Sequence, residues 1–221
     1  MSPTGRAFRP AALAKVIVFL AALVPVAMLV RGFLTENLGV NPAETIQLQT
    51  GRWALKFLLI SLAVTPVRRL TGWNVVIQFR RMLGLFAFFY AVLHFTAYWA
   101  FDLTFAFGTM ITDVLKRPFI ALGFSALVLL VPLAVTSTKG WIRRLGKRWV
   151  TLHRLIYAAA LLGVIHFYFV TKADDRWPTL ALGVWSVAMT LRLAWWLRAR
   201  RRDGSVGGMK PARRQVVTHI P

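Results

Sequence analysis

The chain has 221 residues, 57% of them hydrophobic, and carries a formal charge of +21. A soluble domain of this length needs a larger polar surface, so the composition points to an integral membrane protein. The absence of cysteine excludes disulfides, thiolate-bound metals and cysteine nucleophiles, and cations gathered at segment ends and in alternate loops argue against nucleic-acid binding.

A bilayer core of about 30 Å takes about 20 mostly apolar helical residues to cross. Six stretches qualify, at 11–30, 48–66, 82–101, 118–136, 152–171 and 178–197. The first is long enough to span and lacks a small-x-small cleavage site, so it reads as a transmembrane helix and not as a cleavable signal peptide. The second is the weakest, limited by Lys56 and by Thr65-Pro66. The expected fold is therefore an all-α membrane protein, a six-helix transmembrane bundle over residues 10–198. The remainder, 199–221, reads as a basic, glycine-rich, disordered tail with its arginines near anionic headgroups. No internal repeat is evident, and no glycine-rich nucleotide fingerprint follows a strand.

Loop charge sets the expected orientation. The N-terminus, the loops at 68–81 and 139–154, and the tail from Arg198 together hold 20 Lys/Arg and one acid, Asp203. The opposite side holds Arg31, Arg52, Lys116, Arg117, Lys172 and Arg176 with six of the seven acids. The positive-inside rule then puts both termini in the cytoplasm. The basic run Trp141–Trp149 reads first as a topology signal and headgroup anchor. It is also suited to docking an acidic electron donor or an anionic cofactor phosphate.

Three of the four histidines, His94, His153 and His166, lie in apolar segments, where ionisable groups tend to mark a relay or a cofactor. Segments three and five both run outward in this topology. His94 lies 8 residues before Asp102 and His166 lies 6 residues before Lys172, which places them roughly 12 Å and 9 Å from the outer edge. Two imidazoles at one level on two helices are what a bis-histidine haem requires, making His94 and His166 candidate axial ligands of haem iron. His153 lies about 20 Å lower on segment five, and about 140° around a straight helix from His166, so a bend or a late helix start is needed to align them. Opposite it, segment three carries Arg80-Arg81, not a histidine. His219 falls in the polar tail and reads as incidental. The competing structural reading makes all these histidines interhelical hydrogen-bonding groups.

Several runs resemble the ferric reductase-like transmembrane family, which includes the membrane halves of NADPH oxidases. They are Arg148-Trp149-Val150-Thr151-Leu152-His153-Arg154-Leu155-Ile156-Tyr157 followed by His166-Phe167-Tyr168, Thr50-Gly51-Arg52-Trp53-Ala54-Leu55, and Arg80-Arg81-Met82-Leu83-Gly84-Leu85 leading to Tyr90 and His94. Leu62-Ala63-Val64-Thr65-Pro66, Ser137-Thr138 and Arg176-Trp177-Pro178 also fit, so the resemblance covers about residues 10–200. Within the family the chain is most similar to the haem-binding membrane subunits of bacterial methionine sulfoxide reductase systems.

The resemblance implies a b-type cytochrome of the bacterial inner membrane. It would pass electrons from the quinone pool or a cytosolic flavin reductase to a periplasmic molybdopterin enzyme, MsrP. Flavin mononucleotide (FMN) is implied as a further cofactor. By motif position His94, His153 and His166 are the haem-associated histidines, with His153 the candidate for a second haem iron. Arg80-Arg81 at the inner level of segment three departs from the oxidase pattern. The alternative reading on the same residues is a stand-alone ferric reductase-like transmembrane oxidoreductase, and a third is a non-redox channel or scaffold. No carboxylate pair, nucleophile with a base, or metal-binding cluster suggests catalysis on the chain itself.

Overall fold

A computed structural model describes residues 10–171 and 176–206. His219, the loop residues Lys172, Asp174 and Asp175, and most of the expected tail lie outside the described residues.

Every regular element described is helical. The order is α1 (Pro10–Leu34), α2 (Pro42–Thr71), a 3-10 turn (Asn74–Phe79), α3 (Arg80–Phe101), α4 (Phe107–Lys116), α5 (Pro118–Val135), α6 (Lys139–Leu145), α7 (Lys147–Leu152), α8 (Leu155–Thr171) and α9 (Arg176–Val206). Five stretches are long and apolar enough to cross a membrane: α1, α3 with its preceding turn, α5, α7 through α8, and α9.

α2 does not meet that measure, although its 30 residues reach about 45 Å. The reason is its place in the bundle. It packs along α3 and also meets α1, α8 and α9, and it buries nine residues, including Leu55, Leu58, Leu62 and Val64. A helix shielded by neighbours can carry Gln47, Arg52 and Lys56 without presenting them to lipid. Its start, which the apolar run placed near residue 48, is at Pro42. Asn41 caps it by accepting from the Glu44 N–H at 3.2 Å, and Pro42 stands at the first turn where no N–H is needed. Gly72, at φ +75°, ends it.

Three prolines interrupt these helices, and each removes a backbone donor. At Pro66 a side chain from another helix answers the gap itself, and at Pro25 one inserts at the neighbouring step. Pro66 frees the Leu62 carbonyl one turn back, and the Arg192 guanidinium of α9 donates to that oxygen and to the Ala188 carbonyl. Beside Pro25 of α1, the Tyr90 hydroxyl of α3 donates to the Ala22 carbonyl at 2.8 Å and accepts from the Val26 N–H at 3.1 Å. Without water to solvate loose backbone groups, such insertions let a spanning helix keep a proline. They also fix α1 and α9 against the pairs that form the site.

Three further elements depart from the expected segments. α4 folds from what reads as loop: Met110 is buried, and Asp113 accepts from the Tyr98 hydroxyl of α3 while pairing with Arg117 at 2.8 Å. The fifth segment, read as 152–171, is broken at its start. His153 and Arg154 form the turn between α7 and α8, so His153 lies within the membrane-crossing stretch Lys147–Thr171 but at a break in its helix. Trp149 holds the break in place, donating through Nε1 to the Thr136 carbonyl at the end of α5. At the other end, α9 continues as helix to Val206, past the expected limit of the last span.

Candidate functional site

Among the described helices the most extensive packing is within α2–α3 and within α5–α8, and contact between the two pairs is lighter. A cavity of about 330 Å³ lies between the pairs. Its deeper walls are alanine and leucine, among them Ala54, Leu58, Ala87, Ala126, Leu130 and Ala159. Small side chains on facing helices leave apolar space where larger ones would interdigitate. The other end is polar, with Gln47, Arg52, Tyr98, Asp102 and Arg117. Gln47 donates to Asp102 at 2.9 Å, and Tyr98, Asp113 and Arg117 form a hydrogen-bonded chain at the same end.

His94 of α3 and His166 of α8 enter this slot from opposite sides. Their ring centroids are 6.1 Å apart, with the planes at 71°. Each ring is held by a backbone carbonyl of the neighbouring helix. The His94 Nδ1 lies 2.9 Å from the Gln47 oxygen of α2, and the His166 Nδ1 lies 2.6 Å from the Phe119 oxygen of α5. A carbonyl only accepts, so Nδ1 carries the proton in both rings and Nε2 keeps its lone pair. Carbonyl-fixed tautomers of this kind are the usual support of metal-bound imidazoles.

The spacing can be tested against one metal ion between the two rings. With metal–nitrogen bonds of about 2.0 Å on each side, two imidazoles that share an ion have ring centres about 6 Å apart. The observed 6.1 Å matches that separation, and the cavity that both rings line is mostly apolar, as a porphyrin requires. Arg52 and Arg117 line the cavity and could pair with the carboxylates of a bound macrocycle.

His153 does not join them. It does not line the slot; its ring stacks on Trp149 at 3.8 Å and 26°, and its Nδ1 meets the Trp149 carbonyl at 3.1 Å. Several residues of the slot escaped sequence reasoning. Gly51 of α2 and Gly123 of α5 lie directly against the His94 and His166 rings. Arg52 and Arg117 were counted only as loop charges. Gly51 and Arg52 stand in one of the family-like runs, and that was the only available hint.

Comparison with known proteins agrees with this architecture. Residues 50–164, just over half the chain, match the family described as ferric reductase like transmembrane component. A protein of Herminiimonas arsenicoxydans is 48% identical over 204 residues, covering 91% of this chain and 94% of its own length. One from Xanthomonas euvesicatoria is 49% identical, covering 90% and 94%, and one from Rhodospirillum rubrum is 47% identical, covering 87% and 92%. Each of the three is a protein-methionine-sulfoxide reductase heme-binding subunit, MsrQ. With about half its residues shared over nine-tenths of its length, the chain belongs to the ferric reductase-like transmembrane family and, within it, to the MsrQ group.

Proposed function

We propose that this chain is the b-type cytochrome subunit of a methionine sulfoxide reductase system in a bacterial inner membrane. It receives electrons from the quinone pool or a cytosolic flavin reductase and delivers them to a periplasmic molybdopterin enzyme, MsrP. The observation that carries the reading is the histidine pair: two carbonyl-fixed imidazoles 6.1 Å apart across an apolar slot. The MsrQ relatives, named as heme-binding subunits, support it. With α2 taken as a sixth, shielded span beside the five apolar ones, the loop charges support both termini in the cytoplasm.

In this reading haem supplies the one-electron redox couple, and the protein supplies ligands, burial and orientation. His94 and His166 would hold the iron through Nε2. The alanines and leucines of the slot would exclude water, and Arg52 and Arg117 are the cations of its lining that could pair with the macrocycle's carboxylates. The polar end, near Asp102 and Arg117, lies toward the periplasm, so the site stands close to the face where a periplasmic acceptor docks. Reduction of the sulfoxide, with its two electrons and two protons, takes place on the acceptor.

Purified protein should show a reducible b-type spectrum, with the α band lost in both His94→Ala and His166→Ala. Full haem load in His94→Ala would refute the reading. Reoxidation of the reduced protein by MsrP and not by ferric chelates separates it from a stand-alone ferric reductase.

A further inference from the structure

The two histidines are seated by the same three-part device. On α2, Gln47 supplies the carbonyl and Gly51, four residues on, lies under the His94 ring. On α5, Phe119 supplies the carbonyl and Gly123, four residues on, lies under the His166 ring. All three members are displaced by the same 72 residues: 47 to 119, 51 to 123 and 94 to 166. Slot positions follow the same offset, with Ala54 matching Ala126, Leu58 matching Leu130 and Ala87 matching Ala159. A repeat that is not evident in the sequence thus appears in the structure, and its equivalent of His153 is Arg81.

Helix geometry explains why the device needs glycine. The carbonyl of residue i points along the axis toward residue i+4, and the Cα–Cβ bond of i+4 leans back over that turn. Any side chain at i+4 therefore covers the carbonyl from outside. At Gly51 a Cβ would lie 3.0 Å from the His94 Nδ1 and 3.1 Å from its Cε1. At Gly123 it would lie 2.8 Å from both the Nδ1 and the Cε1 of His166. Gln47 and Phe119 share nothing as side chains, which is consistent with only their backbone oxygens being used.

We propose that Gly51 and Gly123 are positioning residues. Each opens the carbonyl one turn earlier to one axial imidazole, and together they set the placement and basicity of both rings in the slot. The proposal rests on the reading of His94 and His166 as axial ligands. A methyl group at either glycine pushes the ring off its carbonyl and into the slot. A weaker Nδ1–H···O=C bond makes the imidazole a poorer donor and disfavours the ferric state. The tighter contact at Gly123 makes it the more sensitive of the two.

The test compares Gly51→Ala and Gly123→Ala with Gly84→Ala, a helix-interior glycine whose added Cβ meets nothing within 4 Å. In the haem-loaded full chain, both site variants should show shifted low-spin EPR g values. Their midpoint potential should rise by up to about tenfold in the ferrous-to-ferric ratio, about 59 mV for one electron, more for Gly123→Ala. Gly84→Ala should match wild type. Wild-type g values and potential in both site variants would overturn the proposal.

A double-mutant cycle in thermal unfolding needs no haem. Gly51→Ala should lower Tm in the wild-type background and not in His94→Ala, where no ring is left to strike; Gly123→Ala should behave likewise with His166→Ala. If a single variant fails to accumulate, rescue by its own histidine deletion supports the proposal, and failure of the double variant overturns it. Should the haem reading fail, His94→Ala would keep its haem while this cycle still reported on the cradle.

Discussion

Tyr90 is fully buried one turn before His94, and its hydroxyl bridges the Ala22 carbonyl and the Val26 N–H of α1 beside Pro25. Tyr90→Phe removes that single oxygen while keeping the ring, which stacks on Phe57 with centroids 5.4 Å apart. The Ala22 carbonyl and the Val26 N–H then lose their partner in a place water does not reach. Polar contacts between membrane helices average about 0.6 kcal/mol, so two of them come to about 1.2 kcal/mol. Leaving a buried backbone group unsatisfied costs about 1–3 kcal/mol in soluble proteins, which sets the upper side. The expected loss is about 1–2 kcal/mol, close to tenfold in the unfolding equilibrium. Titration of SDS into detergent micelles, followed by tryptophan fluorescence and helical circular dichroism, measures it. The haem spectrum of the folded fraction should not change, because His94 is held independently by Gln47. A loss below about 0.3 kcal/mol, well under one average contact, would mean that Val26 closes back onto Ala22 and that the hydroxyl carries no weight.

The Arg192 fork across the Pro66 gap predicts a coupling. Arg192→Lys keeps the charge but cannot bridge the Leu62 and Ala188 carbonyls together. It should cost about 1 kcal/mol in wild type and close to nothing in Pro66→Ala, where the restored N–H satisfies Leu62; equal costs in both backgrounds would remove the assigned role. His153→Ala should leave the haem of the slot intact, at one per chain before and after the change. A halving of the haem content would instead assign His153 to a second haem.

How much of this was readable in advance depended on what each element faces. α1, α3, α5 and α9 face lipid over much of their surface, so their apolar runs stand out in the sequence. α2 is surrounded by protein, and its charges blurred the same signal. The run Leu152-His153-Arg154-Leu155 carries no glycine or proline to mark a break, so the turn separating α7 from α8 was invisible without its hydrogen bonds. The histidine pair was legible through scarcity and matched depth. Gly51 and Gly123 were not, because glycine is common in membrane helices and its meaning depends on the ring lying against it. The 72-residue offset stayed hidden because few identities survive outside the slot.

The slot lies along the seam between two helix pairs that are dense within themselves and only lightly joined to each other. Each pair brings one imidazole, one carbonyl and one glycine. A group ligated from both sides would therefore act as a cross-member, and its binding free energy would become cohesion of the whole bundle. Cofactor supply and protein survival are then linked: a chain inserted without its ligand would have its weakest junction open within the membrane. Such a chain should be the preferred substrate of membrane proteases, so the amount of protein that persists should follow the haem available when it is made.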